Sequence, residues 1–281
     1  MIHYSVIIPQ RDRADEVRRQ LPALAESLAQ LRAPFEVIVV DDGSTAANVR
    51  YLDKLLGLHS ALRVLRLDQP AGASAALSAG IRSARGEIIV ATEPGDAYPP
   101  AQIAALAGWL RRADLVVGRR RRFGGSKLRE RLSRIPRWLL LGLDSHDPDC
   151  LFWAARREAL ADITLSAGMA RYLPALVASR GFRVSEVYVE HHTAGQLLQD
   201  VRPNPADLLA AWWHCRRWRQ QNTYELLPGG SAQTSLRVFA GDNPETLPPN
   251  VDEVATLKLP MPAIEGAPAN RPVNWRQEKR A

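Results

Sequence analysis

The stretch Val37–Thr45, VIVVDDGST, decides the fold. Four consecutive β-branched residues read as a strand buried on both faces, the mark of a parallel sheet covered by helices. The run ends in two adjacent carboxylates, Asp41 and Asp42, and then in Gly-Ser-Thr, a turn suited to the start of a helix. Open α/β sheets bind ligands beyond the carboxyl ends of their strands, so the acid pair marks a candidate ligand rim. The same residues also admit a structural reading, in which the acids only brace the turn and Ser44 and Thr45 open the helix.

Upstream, SVIIP (Ser5–Pro9) is a second apolar strand, which Pro9 is expected to stop before the polar turn Gln10–Arg13. Val17, Leu21, Leu24, Leu28 and Leu31 then recur at helical spacing, with Pro22 expected to kink the helix. Downstream, LRVLRL from Leu62, EIIVA from Glu87 and LVVG from Leu115 are strands separated by helical patterns. This alternation predicts right-handed crossovers and strand ends on one rim, where Asp41, Asp68 and Asp96 should gather. The second half offers strands at Leu151–Ala155 and Val184–Val189, a helical stretch Ala167–Ser179 between them, and a helix from Pro205 to about Gln220 capped by Asn204.

Composition divides the 281 residues at about 222. From Thr223 onward the chain holds eight of its twenty prolines and little periodic pattern, so 223–281 reads as a disordered tail behind a folded domain of 1–222. The tail carries six basic and seven acidic side chains, which leaves +8 of charge on residues 1–222 against +7 for the whole. Between Arg119 and Arg137 nine Arg or Lys residues face one acid, Glu130, and polyanions are the natural partners. Nucleic acid is not expected among them, because the run has no aromatic residues spaced as a stacking platform.

Cys150 and Cys215 have neither disulfide nor zinc spacing, and MIHYSVIIP does not read as a secretory leader, so a cytoplasmic location is expected. The longest apolar run of this kind, WLLLGL from Trp138, is too short to span a bilayer but follows Arg134 and Arg137 directly. The helix from Pro205 combines Leu208, Leu209, Trp212, Trp213 and Trp218 with Arg216, Arg217 and Arg219. Both segments suit a peripheral position on the inner face of a membrane, and core packing explains their apolar members equally well.

Taken in order, VIIPQRDRADEV, EVIVVDDGST, GASAALSAGIRSARGEIIVATEPGDAYPP and DPDCLFWAARREAL resemble a family 2 glycosyltransferase of the GT-A fold. The nearest subgroup is the polyprenyl-phosphate sugar transferases of the dolichol-phosphate mannose synthase type, and the likeness covers about residues 3–195. It implies a Rossmann-like, mostly parallel α/β sheet flanked by helices, a nucleoside-diphosphate sugar donor and a polyprenyl phosphate acceptor. The nucleotide-binding positions it implies are Pro9, Arg11, Asp41, Asp42, Asp68 and Gly72. Close packing explains Gly72 equally well and is the preferred reading of Gly80.

Where the family carries two acids one residue apart, holding Mg2+ or Mn2+ against the diphosphate, this chain has Glu93 at the first position and Gly95 at the second. Asp96 stands one further on, so Glu93 and Asp96 are the expected metal ligands. Asp96 and Asp147 are the catalytic candidates; Arg119, Arg120, His191 and His192 are candidates for contact with phosphate or acceptor. Ala73, Leu151 and His192 depart from the family pattern, and with Gly95 they support an alternative, a nucleotide-sugar-binding protein without catalysis. An acceptor phosphate is already a nucleophile, which agrees with the lack of an obvious general base.

Overall fold

The computed structural model describes residues 2–120, 135–137, 139–142, 146–192 and 204–222. The chain divides into two compact units at Gln221 and Asn222, and the elements below belong to the first, apart from the final residue of the last helix. The expected tail, 223–281, lies outside the described residues, as does the basic stretch 121–134.

Seven strands form one sheet: β1 (Tyr4–Gln10), β2 (Phe35–Asp41), β3 (Leu62–Arg66), β4 (Ile88–Ala91), β5 (Leu115–Arg120), β6 (Trp153–Arg156) and β7 (Val184–Val189). Their order is β3-β2-β1-β4-β6-β5-β7. Strands β1 to β4 pair in parallel, joined by α1 (Ala14–Ala29), α2 (Ala46–Leu56) and α3 (Ala73–Ser83). The fourth helix, α4 (Gln102–Trp109), leads to β5.

The simple parallel sequence stops there, because β6 enters antiparallel between β4 and β5. Phe152 and Ala154 pack in one core layer and Trp153 and Ala155 in the other, so this strand needs cover on both faces and takes an interior slot. Its reversed direction brings the loop before it, with Asp147, to the rim where the parallel strands end. Strand β7 closes the sheet, parallel to β5.

Period-two alternation builds both layers. Ile7, Ile38 and Val40 face a layer that includes Ala76, Leu77, Leu176 and Cys215, while Val6, Ile8, Val37 and Val39 face Val17, Leu24, Leu52 and Leu106. Against the first layer α3 lies so close that a Cβ on Gly80 would meet Ile7 Cγ2 at 2.5 Å. Packing therefore accounts for that glycine.

One expectation about proline changes. Pro9 does not stop β1, which runs on to Gln10 in register with Asp41. The ladder with β4 ends at Ile7, whose carbonyl accepts from Thr92, and Gln10 O on the alternate side accepts from Asp42 N at 2.9 Å. Pro9 thus turns its missing N–H toward the side where β4 has already ended, and no ladder bond is lost. Pro22 lies inside α1, which continues through it to Ala29. The stretch expected as one helix from Ala167 begins as a 3₁₀ turn, Met169–Tyr172, after Gly168 at φ +73°, and becomes helical over Leu173–Ser179.

Candidate active site

The rim is built from loops that follow β1, β2, β3 and β4. After β1 the chain turns through Asp12, at φ +54°, whose Oδ1 accepts from Thr45 N and Oγ1 at 2.8 Å and from Asn48 Nδ2 at 3.0 Å. Those bonds draw the carboxylate of Asp12 below its ordinary pKa, the Thr45 amide contributing most. The first turn of α2 is thereby tied to the end of β1.

Both acids of the opening motif are buried, with Asp41 at 1% exposure and Asp42 at 5%. Asp41 Oδ1 accepts from Gln10 Nε2 at 2.6 Å, from Ser44 N at 3.3 Å and from Ser44 Oγ. Asp42 accepts from Ala71 N at 2.7 Å and Gly72 N at 2.9 Å. Asp41 braces the turn that follows it, the structural role the sequence allowed, whereas Asp42 braces the loop after β3. Through Asp42 that bracing also shapes the wall of a cleft of about 270 Å³, lined by Arg11, Pro70–Ser74, Ala167 and Gly168. Gly72, at φ +85° and with nothing within 4 Å of where a Cβ would stand, opens directly onto free space at the start of α3.

A second group of charges lies along β4, β5 and β6. Arg120 donates to Asp147 from Nε and Nη2, each at 2.7 Å, and from its backbone N at 3.1 Å. Both side chains are buried, at 8% and 3% exposure, so this is an internal bidentate pair. Arg120 is held charged: burial opposes the charge, and the bonds and field of Asp147 outweigh it. Asp147, one of the two catalytic candidates, is thus committed to a guanidinium.

Beside this pair lies Glu93, 1% exposed and with Oε1 lacking a hydrogen-bond partner among the described residues. Burial raises its pKa, against the fields of Arg120 and Arg13 and with that of Asp147. His191 Nε2 is also buried without a hydrogen-bond partner among the described residues, and its ring meets Tyr98 edge-on at 5.0 Å. Burial first, and Arg120 next, lower its pKa, so the imidazole is neutral at pH 7. Cys150, between Tyr98 and Phe152, has its thiol pushed up to about 12 by burial and is inert.

The strand ends share the rim, but their acids do not form one cluster. Asp68 and Asp96 are exposed, whereas Asp41 and Glu93 are buried. Among the described residues no three of His, Cys, Asp and Glu are placed to hold a metal ion together. Mg2+ is commonly held by one or two carboxylates together with water and substrate phosphates; here the two expected ligands are split, Glu93 buried near Arg120 and Arg13 and Asp96 exposed. Arg119 lies over the Tyr188 ring at 4.9 Å, and His192 is exposed, its backbone N donating to Ala97 O at 3.1 Å.

Several contributors escaped the sequence reading. Gln20 donates to Glu93 O at 3.1 Å and accepts from Gly95 N at 3.2 Å, fixing the turn after β4. A polar residue on the apolar face of α1, three positions after Val17, was its signal. Arg13 and Glu16 pair at 2.9 and 2.5 Å beside the same turn, as Arg and Glu three apart on a helix can do.

Comparison with known proteins places the chain in a family. The family model for glycosyl transferase family 2 matches residues 5–164. Dodecaprenyl-phosphate galacturonate synthase of Rhizobium johnstonii is 32% identical over 205 residues, covering 68% of this chain and 59% of that protein. Undecaprenyl-phosphate 4-deoxy-4-formamido-L-arabinose transferase of Pseudomonas fluorescens is 25% identical over 195 residues, 66% of this chain and 56% of its own length. The chain therefore spans less than two thirds of either relative.

Glucosyl-3-phosphoglycerate synthase from Mycobacterium tuberculosis, crystallised with Mn2+, uridine-diphosphate-glucose and phosphoglyceric acid, superposes with a TM-score of 0.54 at 20% identity, over 75% of this chain and 80% of that one. At that identity the likeness concerns the fold, which is GT-A. With a family match over more than half of its length and the corresponding sheet and rim, the chain belongs to glycosyl transferase family 2.

Proposed function

We propose that this chain transfers a glycosyl group from a nucleoside-diphosphate sugar to a polyprenyl phosphate at a membrane surface. The observation that carries the reading is the cleft beside Arg11, walled by Ala71 and Gly72 and held in shape by Asp42, at the carboxyl rim of a family 2 sheet. A cationic side chain beside the start of a helix is a setting for a diphosphate. The names of the two relatives supply the acceptor class, and the uridine-diphosphate-glucose bound to the mycobacterial enzyme supplies the donor class.

In the reaction an oxygen of the acceptor phosphate attacks the anomeric carbon, the bond from that carbon to the donor diphosphate breaks, and the nucleoside diphosphate leaves. The nucleophile is already anionic, so the protein has to position two substrates and stabilise charge on the leaving group. Mg2+ or Mn2+ is the cofactor that the family resemblance implies, and no step here is routed through it. No helix among the described residues is long and apolar enough to cross a membrane. Exposed Leu209 and Trp213 on the helix Pro205–Asn222, with Arg217 over the Trp213 ring at 5.2 Å, supply a face for anionic lipid.

The test is a thermal-shift screen of uridine- and guanosine-diphosphate sugars, followed by transfer of the labelled sugar to a polyprenyl phosphate in detergent. One donor should raise the melting temperature of the full chain, because a ligand that binds the native state stabilises it. The shift should vanish in Asp42→Ala, which releases the Ala71 and Gly72 amides and lets the cleft wall move. Absence of any shift and of any transfer would count against the reading.

A further inference from the structure

The geometry points to the guanidinium groups of Arg11, Arg13 and Arg120, in place of a divalent cation, as the charges that neutralise the diphosphate of the donor; this rests on the donor reading above. The turn after β4 is where an ion would have to sit, and three features there oppose one. Glu93 is enclosed at 1% exposure, and Asp96 stands in solvent. Between them Gly95 adopts φ +91°, a conformation in which an L side chain is strained. A Cβ at that position would also lie 2.7 Å from Oε2 of Glu16.

The space that a second acid of the turn would use is therefore already held by a carboxylate from α1, and that carboxylate has its own cation. Arg13 donates to both oxygens of Glu16, at 2.9 and 2.5 Å. To recruit Glu16 to a dication, this ion pair would have to be broken. On the other flank Arg120 is fixed by Asp147, and the positive fields of Arg120 and Arg13 both reach Glu93. A dication placed here would compete for carboxylates with two guanidinium groups that already hold them, Arg13 on Glu16 and Arg120 on Asp147.

The arginines can do the work themselves. A guanidinium carries five N–H donors, and the side-chain bonds above engage two on Arg13 and two on Arg120. Planar forks of this kind bind phosphate oxygens in pairs and keep their charge at every physiological pH. Arg11, two residues before Arg13 in the loop after β1, is exposed and lines the cleft beside the start of α3.

The test is titration calorimetry of the full chain with uridine diphosphate and with guanosine diphosphate, in EDTA and in Mn2+. At least one nucleotide should bind with dissociation constants that agree within about twofold between the two buffers. Arg13→Gln should weaken binding in EDTA by about tenfold, and Arg13→Lys should recover part of that loss, with unchanged melting curves showing that both variants fold. Arg13, partly exposed, serves here because removing the buried Arg120 would strand Asp147. Tightening of about tenfold or more by Mn2+, with Arg13→Gln neutral, would overturn the inference and leave the donor reading standing. Failure of both nucleotides to bind in either buffer would overturn both.

Discussion

Glu93 is the residue at which burial and charge are most directly opposed. Its carboxyl is enclosed, Oε1 has no hydrogen-bond partner among the described residues, and burial raises its pKa despite the nearby arginines. A carboxyl whose folded pKa lies above its unfolded one adds stability that is complete below the unfolded value and is lost as pH rises through the folded value. Glu93→Gln, which keeps the shape and removes the charge, should therefore match the parent at about pH 4 and be more stable by roughly 1 kcal/mol at about pH 8. Thermal melts across that range check the sign, and an advantage that grows toward acid would refute it. At this scale residue types were legible and their partners were not. Asp41 and Asp42 announced themselves as two acids at a strand end, but nothing local showed that Gln10 and Ser44 would engage one while the amides of Ala71 and Gly72 engaged the other.

The element that most constrains the cleft is α3, whose start forms the wall and whose Gly80 presses on β1. Alanine at 80 would gain about 1 kcal/mol of helix propensity, but its methyl group would stand 2.5 Å from Ile7 Cγ2. Overpacking of that kind costs about 1–3 kcal/mol, a net loss of up to about 2 kcal/mol after the propensity gain, so Gly80→Ala should lower the melting temperature by up to about 8 °C, and a rise would show that Ile7 yields freely. The small-residue pattern of ASAALSAGIRS makes this close packing legible in the sequence. Strand β6 shows the limit of such reading: its apolar run marked a strand, while its antiparallel slot between β4 and β5 follows from needing both core layers at once.

For the whole molecule, the helix Pro205–Asn222 packs Leu208, Ala211, Trp212 and Cys215 into the same core layer as Leu140 and Leu141, and leaves Leu209 and Trp213 at 55% and 49% exposure. Both segments singled out as interfacial thus contribute to the core and also present apolar surface, with Leu139 at 66%. Co-sedimentation with vesicles containing anionic lipid should be stronger than with zwitterionic vesicles and should weaken on raising salt, as expected where arginines meet a charged surface. The double variant Leu209→Ala with Trp213→Ala should reduce the bound fraction several-fold, roughly 1–2 kcal/mol for two half-buried apolar groups. Equal binding to both vesicle types would refute the assignment. The sequence by itself determined the alternation of strands and helices, the faces they bury and the acids that stand at the strand ends, because periodicity and strand-end chemistry are properties of neighbouring residues. Only the tertiary structure decided which polar groups meet there: Arg120 with Asp147 across 27 positions, Gln20 with the turn at Gly95 across 75, and Glu16 in the space beside that glycine. Those encounters depend on how crossovers and one reversed strand bring distant segments together, and no local pattern carries that information.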